Sequence, residues 1–114
     1  MLQIFSDAGQ WQNITFAATL IFEDWSTQLA FFCKKYEDLE SCVVGEIMAI
    51  EQGLQWVVEN RPDVEEISIY ADNISVAQKL CDYADNHTIN RGAYTAIWMH
   101  MYSLCDHFKT VHVY

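Results

Sequence analysis

Three β-rich runs stand before the first helical segment, and that order constrains the fold more than any other feature of the chain. Residues 2–7 (LQIFSD), 13–22 (NITFAATLIF) and 28–36 (QLAFFCKKY) are dominated by β-branched, aromatic and small residues, which suit a pleated, half-buried surface. The second and third are joined by Glu23-Asp24-Trp25-Ser26-Thr27, a link short enough for a hairpin or meander. Residues 43–60 then read as a long helix. It stops at Arg61-Pro62-Asp63, because the residue before a proline is pushed out of the helical region. A strand over 66–71, a short helix over 74–84 and a polar break from Asn86 to Gly92 follow. A helix over 93–108 and a closing strand over 109–114 complete the series. The order βββ-α-β-α-α-β implies an α/β fold built on one mixed sheet of five strands, three antiparallel and then αβ units.

Three acids stand where a carboxylate is costly. Asp7 ends the first run and precedes Ala8-Gly9, a turn signal. Asp72 ends the run Ile67-Ser68-Ile69-Tyr70-Ala71-Asp72. The strands bearing them are expected to be adjacent and parallel, and ligands of such sheets sit beyond the carboxyl ends of the strands. Glu46 lies inside the first helix. At about 100° per residue, Val43, Ile47, Ile50, Leu54 and Val57 share an arc of about 80°, and Glu46 falls about 20° from Val57. It therefore borders the core face, away from Gln52, Gln55 and Glu59. From there it either snorkels to solvent or joins the two aspartates. A like-charge cluster is unfavourable unless a cation neutralises it, and oxygen-only ligands suit Mg²⁺ or Mn²⁺.

At 114 residues the chain makes one domain, and 52% hydrophobic residues exclude disorder. No apolar run approaches the roughly 20 residues of a membrane span. The start MLQIFSD lacks a charged signal-peptide region. The four cysteines, Cys33, Cys42, Cys81 and Cys105, show no CxxC spacing, so reduced thiols and a cytoplasmic location are expected. Six Lys and Arg against sixteen Asp and Glu give a net charge of −10, which repels phosphate backbones at long range. Beyond Lys34-Lys35 the cations (Arg61, Lys79, Arg91, Lys109) are scattered. A nucleic-acid enzyme built this way would bind weakly, with strong salt dependence.

Other constellations carry less. His87, His100, His107 and His112 have no zinc-type spacing with one another or with the cysteines. His100 and His107 lie off the apolar stripe of Tyr94, Ile97, Trp98, Met101, Leu104, Cys105 and Phe108, on a solvated face. Ser6 and Cys42 have no base partner by spacing. Trp25 is either an exposed stacking or partner contact or, more commonly at such a position, a half-buried turn anchor. Gly9 alone does not make a phosphate loop.

Together these pieces resemble the ribonuclease H family, type 1 branch, in a C-terminally shortened form. The resemblance rests on Ile4-Phe5-Ser6-Asp7-Ala8-Gly9, on Gly45-Glu46-Ile47-Met48-Ala49-Ile50, and on Ile69-Tyr70-Ala71-Asp72-Asn73 followed by Ile74 to Leu80. Ala93-Tyr94-Thr95 and the aromatic helix after it extend the match over essentially all 114 residues. It implies a ribonuclease H-like fold over 1–114, lacking the usual last helix. It also implies a metal-dependent nuclease that hydrolyses phosphodiesters of the RNA strand in RNA–DNA hybrids. Two Mg²⁺ or Mn²⁺ ions about 4 Å apart would activate water and stabilise the leaving oxygen. Asp7 would bridge the metals, with Glu46 and Asp72 completing the catalytic, metal-binding set, and the partner would be the hybrid or another nucleic acid.

The family's fourth acid, an Asp on a last helix after a loop with a mobile His, has no counterpart before Tyr114. Asp106 precedes the last strand and His112 lies inside it, so neither substitutes. Asp85 to Gly92, where some members carry a basic protrusion, is short and has one Arg. An alternative therefore stands beside the nuclease: a catalytically weak or inactive acidic module that meets a protein partner or mimics nucleic acid. A sheet face without its helix would expose several hundred Å², enough to promote a homodimer.

Overall fold

The computed structural model describes residues 1–39, 41–89 and 94–114. Five strands form one sheet in the order β3-β2-β1-β4-β5. In chain order the elements are β1 (Leu2–Trp11), β2 (Ile14–Glu23), β3 (Thr27–Glu37), α1 (Cys42–Asn60), β4 (Glu66–Ala71), α2 (Ile74–Asn86), α3 (Thr95–Cys105) and β5 (Thr110–Val113). β1, β2 and β3 pair antiparallel, whereas β4 runs parallel to both β1 and β5. The expected mixed sheet and element order are thus observed. The expected helix start at Ala93 lies outside the described residues, as do Arg91 and Gly92 of the polar break.

One boundary differs in a way that matters. The first strand does not end at Asp7 but continues through Ala8-Gly9 to Trp11, paired with β2 from Asp7↔Ala18 to Trp11↔Ile14. The local turn signal loses because each added residue joins a ladder of backbone hydrogen bonds to a strand already in register. What ends near Asp7 is the parallel pairing with β4, whose last pair is Ser6↔Ala71.

Strand alternation sorts the sheet into two faces. On one face Ile4, Ile21, Ile67 and Ile69 are fully buried under Ile47, Ile50, Leu54 and Val57 of α1, Val76 and Leu80 of α2, and Trp98, Met101 and Tyr102 of α3. Fully burying each large apolar side chain contributes about 1.5–3 kcal/mol. α1 sits unusually close to the sheet. A Cβ added at Gly45 would come within 2.7 Å of Thr15 Cγ2, and one at Gly53 within 2.9 Å of Ile4 Cγ2. Thr19 Oγ1 donates to the Ala49 carbonyl at 2.8 Å, fixing the same contact. The other face carries Phe5, Phe22, Tyr70 and Tyr114 with Trp25 packed on them, and Phe16 and Phe31 are exposed there. No helix among the described residues is long and apolar enough to cross a membrane.

The close approach of α1 makes Gly45 a sensitive position. Overpacking costs typically 1–3 kcal/mol and the gain in helix propensity returns about 1 kcal/mol. Gly45→Ala should therefore lower the urea midpoint, whereas Gly9→Ala, with nothing within 4 Å of the added carbon, should leave it nearly unchanged. A Gly45→Ala midpoint at or above wild type would show that α1 can retreat from the sheet without cost.

Candidate functional site at the acidic end of the sheet

Because the parallel pairing stops at Ser6↔Ala71, Asp7 and Asp72 occupy the next register position on neighbouring strands. Both are exposed. They share an open cavity of about 390 Å³ with Phe5, Ser6, Tyr70, Ala71 and Tyr114. Beyond Asp72 the chain turns into α2, whose N-cap Asn73 accepts from the Val76 N–H through Oδ1 at 3.1 Å. That turn aims the Asn73 N–H at α1, where Glu46 Oε1 accepts it at 3.0 Å. Glu46 is only 4% exposed, so of its two possible placements the structure has the inward one.

The electrostatics tie the three acids together. Burial raises the Glu46 carboxyl pKa above the ordinary value. The backbone N–H groups of Asn73 and Asp72 pull it down, and the charges of Asp72 and then Asp7 push it up again. Cys42, one turn before Glu46, is half-buried and donates its thiol to the Ala8 carbonyl at 3.2 Å. Burial, then the charges of Glu46 and Asp7, raise its pKa and keep it a thiol. In donor chemistry the site suits a hard divalent cation: two solvent-facing carboxylates backed by a third. Among the described residues, however, no three His, Cys, Asp or Glu side chains are arranged to hold one ion together. Asp7 and Asp72 face solvent, and Glu46 has one oxygen committed to Asn73.

The remaining sequence candidates lie elsewhere. His100 Nδ1 is 3.0 Å from Glu51 Oε2, and His107 Nε2 is 3.2 Å from the Pro62 carbonyl oxygen. Asp106, capping α3, accepts from the Tyr83 hydroxyl at 2.8 and 3.0 Å. All four cysteines are free thiols. Trp25 is not the half-buried anchor its position suggested. It is 61% exposed, because its turn lays the indole over Phe5 and Tyr70 and covers it from one side only. The aromatic lining has one sequence signal: Phe5-Ser6-Asp7 and Tyr70-Ala71-Asp72 both place a ring two residues before an acid. Nothing in the sequence pointed to the Asn73 N–H.

No family model and no curated protein sequence matches the chain. Solved structures do. A type 1 ribonuclease H isolated from compost, solved with an RNA/DNA hybrid, superposes with a TM-score of 0.82 at 9% identity, covering 100% of this chain and 83% of that one. The type 1 ribonuclease H of Halobacterium salinarum gives 0.79 at 10% identity over 99% and 83%. The N-terminal ribonuclease H domain of a Mycobacterium tuberculosis protein gives 0.78 at 15% over 98% and 83%. The chain has a ribonuclease H-like fold.

The raised Glu46 pKa sets a direction for stability. The folded chain holds the Glu46 proton more tightly than the unfolded chain does, so ionised Glu46 costs stability. That cost appears as pH rises above the unfolded value, about 4.3, and is complete above the folded value. Glu46→Gln keeps an acceptor for Asn73 and removes the charge. It should melt a few degrees above wild type at pH 7, with the gap closing as pH falls towards 4. A variant less stable than wild type at pH 7 would contradict this.

Proposed function

We propose that the chain is a metal-dependent nuclease of the ribonuclease H kind, acting on the RNA strand of RNA–DNA hybrids. The observation that carries this reading is the placement of Asp7 and Asp72 at adjacent register positions with buried Glu46 behind them. Support also comes from the fold, since one of the similar structures was solved with an RNA/DNA hybrid. Divalent ions bound at such a cluster supply an activated water and stabilise the leaving oxygen.

In this reading Asp7 and Asp72 are the solvent-facing ligands that position the ions. Glu46 is a third ligand whose approach is fixed by the Asn73 N–H and by the close seat of α1. No side-chain nucleophile is needed, and Cys42 is unsuited to be one, with its thiol engaged by Ala8 and its pKa raised. The second reading, an acidic module, is favoured by the net charge of −10 and by the lack of a three-ligand group among the described residues.

Hydrolysis of a labelled RNA–DNA hybrid separates the two. Cleavage should be slow and faster with Mn²⁺ than with Mg²⁺, because Mg²⁺ demands near-ideal octahedral geometry. Asp72→Asn should abolish it while leaving the circular dichroism spectrum unchanged. Equal residual activity in wild type and variant would mean contamination and would leave the acidic module as the better account.

Metal binding has its own readout. An ion that binds only the folded chain stabilises it by mass action, about 1.4 kcal/mol at ten times its Kd. Millimolar Mn²⁺ should therefore raise the melting temperature of wild type by several degrees and that of Asp7→Asn by much less. Equal shifts would indicate non-specific binding.

A further inference from the structure

The acidic cavity has an aromatic wall that a cation does not require. Phe5, Tyr70 and Tyr114 form a column across β1, β4 and the end of β5, with ring centroids 4.7 and 4.9 Å apart and planes within 13° and 14° of parallel. Trp25 lies steeply across the column, 6.0 Å from Phe5 and 5.1 Å from Tyr70 at 66° and 64°. These rings stand on the face opposite the helical core, and the outer two stay open to solvent: Trp25 is 61% and Tyr114 63% exposed.

The indole is held there against backbone preference. Asp24 and Trp25 have φ of 52° and 66°, with the Ser26 N–H returning to the Glu23 carbonyl at 3.2 Å. This is the turn that ordinarily takes Asn-Gly, and a bulky residue in the left-handed region costs free energy. Two clamps hold it. The Trp25 backbone N–H donates to Gln3 Oε1 at 2.9 Å, and the N-terminal ammonium donates to Asp24 Oδ1 at 2.7 Å.

Among the described residues no Lys or Arg lines the cavity, so this wall as described is built of rings rather than of phosphate-binding cations. It offers ring faces and hydroxyls. Those hydroxyls belong to Tyr70 and Tyr114; Ser6, between Phe5 and Asp7, turns its side chain to the helix-covered face, where its hydroxyl is buried. Ring faces bind nucleobases by stacking, and a base can use them only when it is unpaired, since a duplex buries base faces in its own stack.

We infer that the Phe5–Tyr70–Tyr114 column and Trp25 form a stacking subsite for an unpaired nucleobase, which seats an unpaired nucleotide of the substrate strand beside Asp7 and Asp72. This rests on the nucleic-acid reading of the same site and narrows it. The preferred substrates are strands with unpaired nucleotides, either free or as tails on a hybrid, over blunt hybrids.

The test is fluorescence anisotropy of labelled oligothymidylate, oligouridylate and a blunt RNA–DNA hybrid with the full chain in Ca²⁺. The single strands should bind about tenfold or more tighter than the blunt hybrid. They should bind alike, because a ring face does not read the 2′-hydroxyl. Trp25→Gly, which the turn accepts, and Tyr114→Ala should each weaken single-strand binding roughly 5- to 150-fold, the 1–3 kcal/mol of one stacked base. Trp25→Phe should retain most of it, and melting curves establish that each variant is folded. Blunt-hybrid affinity equal to or above that of the single strands, or wild-type affinity in both ring-deleting variants, overturns the subsite. Hybrid cleavage that persists in that case leaves the nuclease reading intact, whereas no binding and no cleavage of any substrate brings down both. A concentration-dependent dimer that shields Trp25 from a soluble quencher would assign the face to a second copy and overturn the subsite.

Discussion

The acidic end of the sheet depends on where the parallel pairing of β1 with β4 stops. Its last pair is Ser6↔Ala71; from there β1 continues along β2 while β4 gives way to the Asn73 cap of α2. The two strands part at the position occupied by an aspartate on each. A register slip of one residue would turn Asp7 onto the helix-covered face and separate it from Asp72, because side chains alternate with a period of two. The same alternation puts Phe5 and Tyr70 on a common face, two residues before each acid, and so joins carboxylates and rings in one cavity.

The third carboxylate reaches this point by a second constraint, the close approach of α1. Gly45 and Gly53 leave no room for a methyl group between helix and sheet, and Glu46 follows Gly45 directly. Burying an acid between two others is unfavourable, as the direction of its pKa shift records. The Asn73 N–H offsets part of that cost and fixes which oxygen points at α2. Local compromise of stability at a group of like charges is the pattern expected of a site kept for binding or chemistry. The left-handed backbone under Trp25, whose indole packs on two of the cavity's rings, is a second instance.

Much of this was legible in the residues themselves. The β-rich runs, the proline stop at Pro62 and the apolar stripes of α1 and α3 give the element order, and Glu46 at the edge of its stripe leaves two placements open, of which the buried one is observed. The misreadings have physical causes. Ala8-Gly9 looks like a turn locally, but pairing with Ala17 and Phe16 is a long-range decision that no local window contains. Trp25 looks like an anchor because aromatic residues in hairpin turns usually fold back into a core; here the core is on the other face. The Asn73 N–H belongs to the backbone and leaves no trace in side-chain chemistry. The pairing of Phe5 with Asp7 and of Tyr70 with Asp72 was visible as a repeated aromatic-x-Asp spacing, yet it acquires meaning only once the two strands are known to be neighbours.

Whether Asp7, Asp72 and Glu46 together hold divalent metal, as proposed, is tested most directly by a crystal grown or soaked with Mn²⁺. An anomalous difference map recorded near the manganese edge should show a peak between the carboxylates of Asp7 and Asp72, at the roughly 2.0–2.3 Å bond lengths of metal–oxygen ligation. Glu46 should be its third protein ligand or bonded to its water. A map with no peak at this end of the sheet, or with manganese held only elsewhere, such as at Glu51 and His100, would contradict the account.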